Sequence, residues 1–181
     1  MKNFQRISQR LARILRCGES GQAFIEFAFV AMMLVVMLFG LIDFGRFVYE
    51  RQILVNLSRE GANLVLRNTP VTNAAAAVMI SSSPLKMGTQ GRLIMSTVFN
   101  SNGVRYVTSQ LSTGGLTGAA APSKIGTVNG TATMPTTPTV IPAAGKSMYV
   151  TEVYYRFTPI TPIGKLLKIA APSNLYDVAY F

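Results

Sequence analysis

Histidine and tryptophan are absent from the 181 residues, and cysteine occurs once, as Cys17. Without histidine the chain lacks the usual general base near neutral pH and the commonest metal ligand. A single cysteine excludes an intramolecular disulfide, so any domain outside the cytoplasm must hold together by packing. Cys17 also precedes the main apolar run, whereas a lipoprotein signal would place its cysteine after one. Acidic residues are scarce, seven against seventeen Lys and Arg. Glu26, Asp43, Glu50, Glu60, Glu152 and Asp177 show no paired-carboxylate or metal-ligand spacing. Gly114-Gly115 lies in low-complexity sequence instead of between a strand and a helix, so it makes no phosphate loop. Ser83-Pro84-Leu85-Lys86 matches S-x-x-K, but its companion motifs are missing and the proline opposes the helix that motif requires. The chain reads as neither an enzyme nor a cofactor or metal binder.

Apolar sequence is plentiful. From Phe27 to Ile42 no residue is charged or strongly polar, and back to Ala23 only Glu26 interrupts. A helix of twenty residues rises about 30 Å, the hydrocarbon thickness of a bilayer. Such a run, apolar on every face, predicts a transmembrane helix over residues 22–42 in preference to a buried helix of a soluble core.

The net charge of +10 is unevenly distributed. Lys2, Arg6, Arg10, Arg13 and Arg16 precede the span with only Glu19 opposing them, so removal of residues 1–21 lowers the net charge to +6. A basic balance of this kind, abutting a span, points to orientation and anionic lipid and away from nucleic acid. The amino end is expected in the cytoplasm and the rest of the chain outside the inner membrane. Residues 1–21 read either as an interfacial anchor or as a leader peptide. No A-x-A-like site follows the span, at Phe39-Gly40-Leu41-Ile42-Asp43. Gly21 followed five positions later by Glu26 suggests a cut before it.

Gly21-Gln22-Ala23-Phe24-Ile25-Glu26 resembles the processing site of prepilins, where a membrane aspartyl peptidase cuts after the glycine. The span, Gly40-Leu41-Ile42-Asp43-Phe44-Gly45-Arg46 and Ser58-Arg59-Glu60-Gly61-Ala62 extend the likeness. Together they resemble the TadE-like minor pseudopilins of tight-adherence (Flp-type) pilus systems, closely over Gly21 to Arg67 and more weakly over the last forty residues. Gln22 departs from the Phe or Met common there in type IV pilins, which favours the tight-adherence branch. The resemblance implies that Gly21, Gln22 and Glu26 serve processing and subunit registration. Its implied partners are a prepilin peptidase, an inner-membrane assembly platform, a secretion ATPase and other pilins or pseudopilins. Apart from the likeness, a carboxylate in hydrocarbon is costly unless paired or near the interface. A cut after Gly21 would place a new ammonium on Gln22, one helical turn from Glu26. The simpler alternative is that Glu26 reaches the headgroups by snorkelling. Small residues Ala23, Ala28 and Ala31 permit close helix–helix approach.

Beyond the span, residues 43–67 continue as an amphipathic helix. Its apolar stripe comprises Phe44, Phe47, Val48, Leu54, Val55, Ala62, Val65 and Leu66, with Arg51 intruding. Asn68-Thr69-Pro70 ends it. Residues 68–181 form an extracytoplasmic β-rich domain. Within it, Ala74 to Ile80 suggests a short helix. Arg92 to Phe99 and Val104 to Gln110 form a hairpin through Asn100-Ser101-Asn102-Gly103. Leu111 to Gly145, rich in Thr, Gly, Ala, Pro and Ser, is expected to be a long exposed, flexible loop. Ser147 to Thr158 predicts a strand with Tyr149, Val153, Tyr155 and Phe157 on one face and Glu152 and Arg156 on the other. A helical turn over Ile163 to Ala170 and a strand over Leu175 to Phe181 complete the chain. The expected class is α+β and pilin-like: a long amino-terminal helix, membrane-spanning in its first half, packed against a small antiparallel sheet.

Three functions fit. The first is a minor pseudopilin that assists assembly, priming or capping of a tight-adherence pilus. The second is an uncleaved, signal-anchored envelope protein whose β-rich domain binds a ligand. The third, a major pilin, is disfavoured because Flp-type major pilins are much shorter.

Overall fold

The computed structural model describes residues 2–135, 141–162, 164 and 174–181, with side chains from Gly21 onward. Helix α1, Lys2–Leu66, is continuous for 65 residues. It ends in the way its sequence dictates. Asn68 takes a left-handed conformation (φ 61°), its N–H donates to Val65 O, and the Thr69 N–H reaches back to Leu64 O. This paired closure satisfies carbonyls that no further turn could reach, and Pro70 prevents continuation. Helix α2, Val71–Ser81, buries Ala74, Ala75 and Val78, and the short helix α3, Met87–Gln90, leads into the sheet.

Strands β1 (Gly91–Ser101), β2 (Val104–Gly114), β3 (Ser147–Arg156) and β4 (Asn174–Tyr180) form one sheet in the order β2-β1-β3-β4. Every neighbouring pair is antiparallel. Asn102 and Gly103, both at positive φ, turn the β1–β2 hairpin, and Asn100 Oδ1 accepts the Gly103 N–H. Two left-handed residues in succession match the twist of the strands they join. The fold is α+β, with the long helix packed on a four-stranded antiparallel sheet.

Alternation along the strands divides the core. Toward α1 the sheet presents Leu93, Met95, Val153, Tyr155, Phe157 and Leu175, which meet Leu54, Leu57 and Val65 of the helix. Phe47 meets Phe157 edge to face, with centroids 5.4 Å apart.

The opposite face is covered too, which corrects the exposed-loop expectation for residues 111–145. Leu111 to Gly114 extend β2, and Leu116, Ala121, Ile125, Ala132 and Met134 are buried against Val98, Val107, Val150, Ile94 and Tyr154. Small alanines allow close approach, and backbone bonds hold the segment down. Val107 exchanges bonds with Asn129 and Gly130, and the Ala132 N–H donates to Arg105 O. Residues 136–140 lie outside the described residues, as does the turn expected over Ile163 to Ala170 apart from Gly164.

Candidate functional site

The first half of α1 beyond Gly21 is bare. Its most apolar 18-residue window has a mean hydropathy of 2.6, and none of it is buried by the rest of the chain. By length and composition the helix is able to cross a membrane. Ala23 and Ala28 are exposed and Ala31 is partly so; no other element of the described chain covers them. Gly21 stands in open space. The Gln22 side-chain amide donates to Glu26 Oε1 at 3.2 Å, so these two residues meet within one helical turn. The helix thus passes unbroken through the sequence-predicted processing point.

Beyond Ile42 the buried face differs from the stripe read in sequence. Leu54, Ala62 and Val65 are buried as expected, but Phe44 is 59% exposed, and Val48 and Leu66 also face outward. The face on the sheet is centred on Asp43, Glu50, Leu54, Leu57, Ser58, Gly61 and Val65. It is rotated because three polar side chains find partners that an amphipathic pattern cannot reveal. The Ser58 hydroxyl bonds both Val55 O and the Asp177 carboxylate. Arg51, the misfit of the apolar stripe, is exposed and borders the outward-facing Val48 and the partly buried Val55.

Asp43, only 1% exposed, pins the turn that follows β3. It accepts the Ile160 N–H at 3.1 Å, the Thr161 N–H at 3.4 Å and the Thr161 hydroxyl. Three residues on, Arg46 Nη2 donates to Glu50 Oε1 at 2.9 Å. Glu50 is 6% exposed, and its Oε2 and Arg46 Nη1 have no partner among the described residues. Burial pushes the Glu50 carboxyl above its ordinary value, and the adjacent guanidinium only partly opposes this. Both side chains line a cavity of about 320 Å³ with Tyr49, Lys86, Gln90 and Ile160 among its walls.

The Ser58-to-Ala62 segment is the docking face. A Cβ on Gly61 would lie 2.9 Å from Met95 Cε and 3.0 Å from Thr151 Cγ2, so glycine lets the helix approach the sheet. Ala62 is fully buried, and Glu60 accepts the Ser81 hydroxyl at 2.9 Å, tying α2 to α1.

On the far face of the sheet, Glu152 lies on the predicted side of β3 but is fully buried. It accepts the Lys124 N–H at 2.8 Å, the Tyr176 hydroxyl at 3.0 Å and the Ser123 hydroxyl. Lys124 Nζ sits 3.7 Å from the centroid of the Tyr176 ring. Burial, reinforced by the Glu152 charge, raises the Tyr176 phenol and pushes Tyr154 up to about 12. Sequence indicated neither the burial of Glu152 nor its donors, two of which, Ser123 and Lys124, come from a segment of low complexity and the third, Tyr176, from β4. Among the described residues no three His, Cys, Asp or Glu side chains gather as a metal site.

Comparison with known proteins bears on α1. A family model described as TadE-like protein matches residues 21–63, from the bare half of the helix to its docking face. The match contains Glu26, the Gly40-to-Arg46 segment and Ser58-to-Ala62, the residues that carried the resemblance. No curated protein and no solved structure matched.

Proposed function

We propose that this chain, with its TadE-like α1, is a minor pseudopilin that assists assembly, priming or capping of a tight-adherence pilus. The observation that carries this reading is the contrast between the two halves of α1. From Asp43 to Leu66 the helix is clad by the chain's own sheet, while from Gly21 to Ile42 its apolar surface is left uncovered. So large an exposed apolar surface demands lipid or other helices.

In this reading a prepilin peptidase cuts after Gly21 on the cytoplasmic side. Residues 22–42 then remain in the inner membrane as a single pass, with the domain of residues 68–181 outside. The freed ammonium of Gln22 takes over from the side-chain amide as partner of Glu26, in the same chain or in a neighbour. Ala23, Ala28 and Ala31 leave room for neighbouring helices to approach, and the outward Phe44 and Val48 extend that surface beyond the bilayer. Other pilins or pseudopilins and the assembly platform are the corresponding partners.

Mass spectrometry of the membrane-extracted protein tests the first step. An amino terminus at Gln22 is expected; an intact Met1, or a cut beyond Ile42, sinks the proposal in favour of a simple anchored envelope protein. Glu26→Ala is expected to impair filament assembly with membrane insertion intact.

A further inference from the structure

We propose that the cavity beside Arg46 and Glu50 is a binding site for one phospholipid headgroup that carries both a phosphate and a primary ammonium, that is, phosphoethanolamine. The inference rests on the membrane-anchored reading of α1 and adds a ligand to it.

Position is the first argument. If hydrocarbon ends near Ile42, Arg46 stands about 6 Å above it and Glu50 about 12 Å above it at 1.5 Å per residue. The headgroup layer on each side of a bilayer is roughly 5–8 Å deep. By backbone level Arg46 therefore lies within that layer and Glu50 about 4 Å beyond it, and their side chains meet between the two levels. Asp43 holds Ile160 level with the hydrocarbon border through the Ile160 N–H, and Ile160 is 67% exposed there while lining the same cavity. An exposed isoleucine at this level suits acyl chains, and the cavity above it suits what those chains carry.

Chemistry is the second. Arg46 uses Nη2 on Glu50 and leaves Nη1 without an acceptor; Glu50 uses Oε1 and leaves Oε2 without a donor among the described residues. Both orphan atoms are shut off from bulk water. Such atoms ask for an acceptor and a donor close together. A phosphate oxygen answers Arg46, with Lys86 on the same wall adding charge. An ammonium N–H answers Glu50, whose one cationic partner among the described residues, Arg46, only partly offsets the burial that disfavours its charge. The phosphate sits lower and the ammonium higher, matching Arg46 below Glu50. Arg46, with 37% of its side chain exposed, is the wall with room to move as the headgroup enters. The volume of about 320 Å³ equals the space of roughly ten waters, enough for such a group. A quaternary ammonium lacks the N–H donors, and phosphoglycerol lacks the cation, so both should bind more weakly.

The full chain is purified in detergent with equal phosphatidylethanolamine, phosphatidylcholine and phosphatidylglycerol, and retained lipid is counted by native mass spectrometry. Phosphatidylethanolamine is expected to be retained roughly tenfold over phosphatidylcholine, the scale of one charge-assisted hydrogen bond. Glu50→Gln and Arg46→Gln should each abolish that preference. Equal retention of the three lipids by the unaltered chain, or greater retention of phosphatidylglycerol, overturns the site without use of any variant. Displacement of the lipid by equimolar soluble phosphoethanolamine overturns a membrane source for the ligand. Alkaline carbonate extraction separates the two readings. A chain released from membranes sinks the anchor itself, while a chain retained without headgroup preference sinks only this site.

Discussion

Replacement of Asp43 by alanine probes the join between α1 and the sheet-bearing part of the chain. The carboxylate accepts one well-formed N–H bond from Ile160, a longer one from Thr161, and the Thr161 hydroxyl. Hydrogen bonds to a charged acceptor contribute about 1.5–3 kcal/mol, and a 3.4 Å contact lies beyond the usual N–H···O range and adds little. Alanine leaves the Ile160 N–H and the Thr161 hydroxyl without their acceptor, for an expected local loss of about 3 kcal/mol. That corresponds to roughly a hundredfold faster amide exchange at Ile160, since 1.36 kcal/mol is a factor of ten. Asparagine retains one carbonyl acceptor, and about half the loss is expected. Hydrogen exchange on the full chain in detergent reads both variants, with the Leu54 and Leu57 amides as an internal reference. Unchanged exchange at Ile160 in the alanine variant, with α1 still helical, refutes the role assigned to Asp43.

The rotated buried face separates two large-to-small truncations: Leu57→Ala should cost about 2–5 kcal/mol in denaturant unfolding, while Phe44→Ala should stay within about 0.5 kcal/mol and impair only assembly. Gly61→Val should destabilise by about 1–3 kcal/mol, because its branched side chain must displace Thr151 as well as the flexible end of Met95; an unaltered unfolding midpoint contradicts the close approach. Alkali should unfold the domain. Tyr154 and Tyr176 have folded-state values above the ordinary 10.0, so their share of stability is complete below pH 10 and is lost as pH rises toward about 12 for Tyr154. Phenolate absorbance that rises for all tyrosines before far-UV dichroism changes would contradict this. Glu50 runs the same way at lower pH: its raised value means that its contribution is full below 4.5 and is lost as pH rises through the folded-state value, so Glu50→Gln should flatten that part of the stability curve.

Sequence periodicity was sufficient for elements whose order is local. The alternation of Tyr149, Val153, Tyr155 and Phe157 gave their shared face correctly, and Asn102-Gly103 marked the hairpin. The length and purity of the apolar run foretold a helix that the domain leaves uncovered. What periodicity missed was long-range compensation. Asp43, Glu50 and Ser58 lie outside the apolar stripe read in the sequence, yet they are buried and take partners from the turn after β3, Arg46 and Asp177. Leu57, outside the same stripe, is buried with them on the rotated face. The cover over the second face of the sheet was equally hidden, since Leu116, Ile125 and Met134 are its few large apolar residues and alanines, backbone bonds and bonds to the Glu152 carboxylate hold the rest.

The ties between α1 and the sheet are spread along the helix. Asp43, Ser58 and Gly61 are spread over eighteen residue steps, about 27 Å of axis. Tension applied along the rod would therefore strain the hydrogen bonds at one end and the tight packing at the other together, in shear, instead of peeling them off in turn. Ser58 adds a mechanical link to Asp177, close to the carboxyl end of the chain, so a pull entering through the helix is shared with the last strand. A subunit joined in this way can bear load without its globular part being stripped from its stalk.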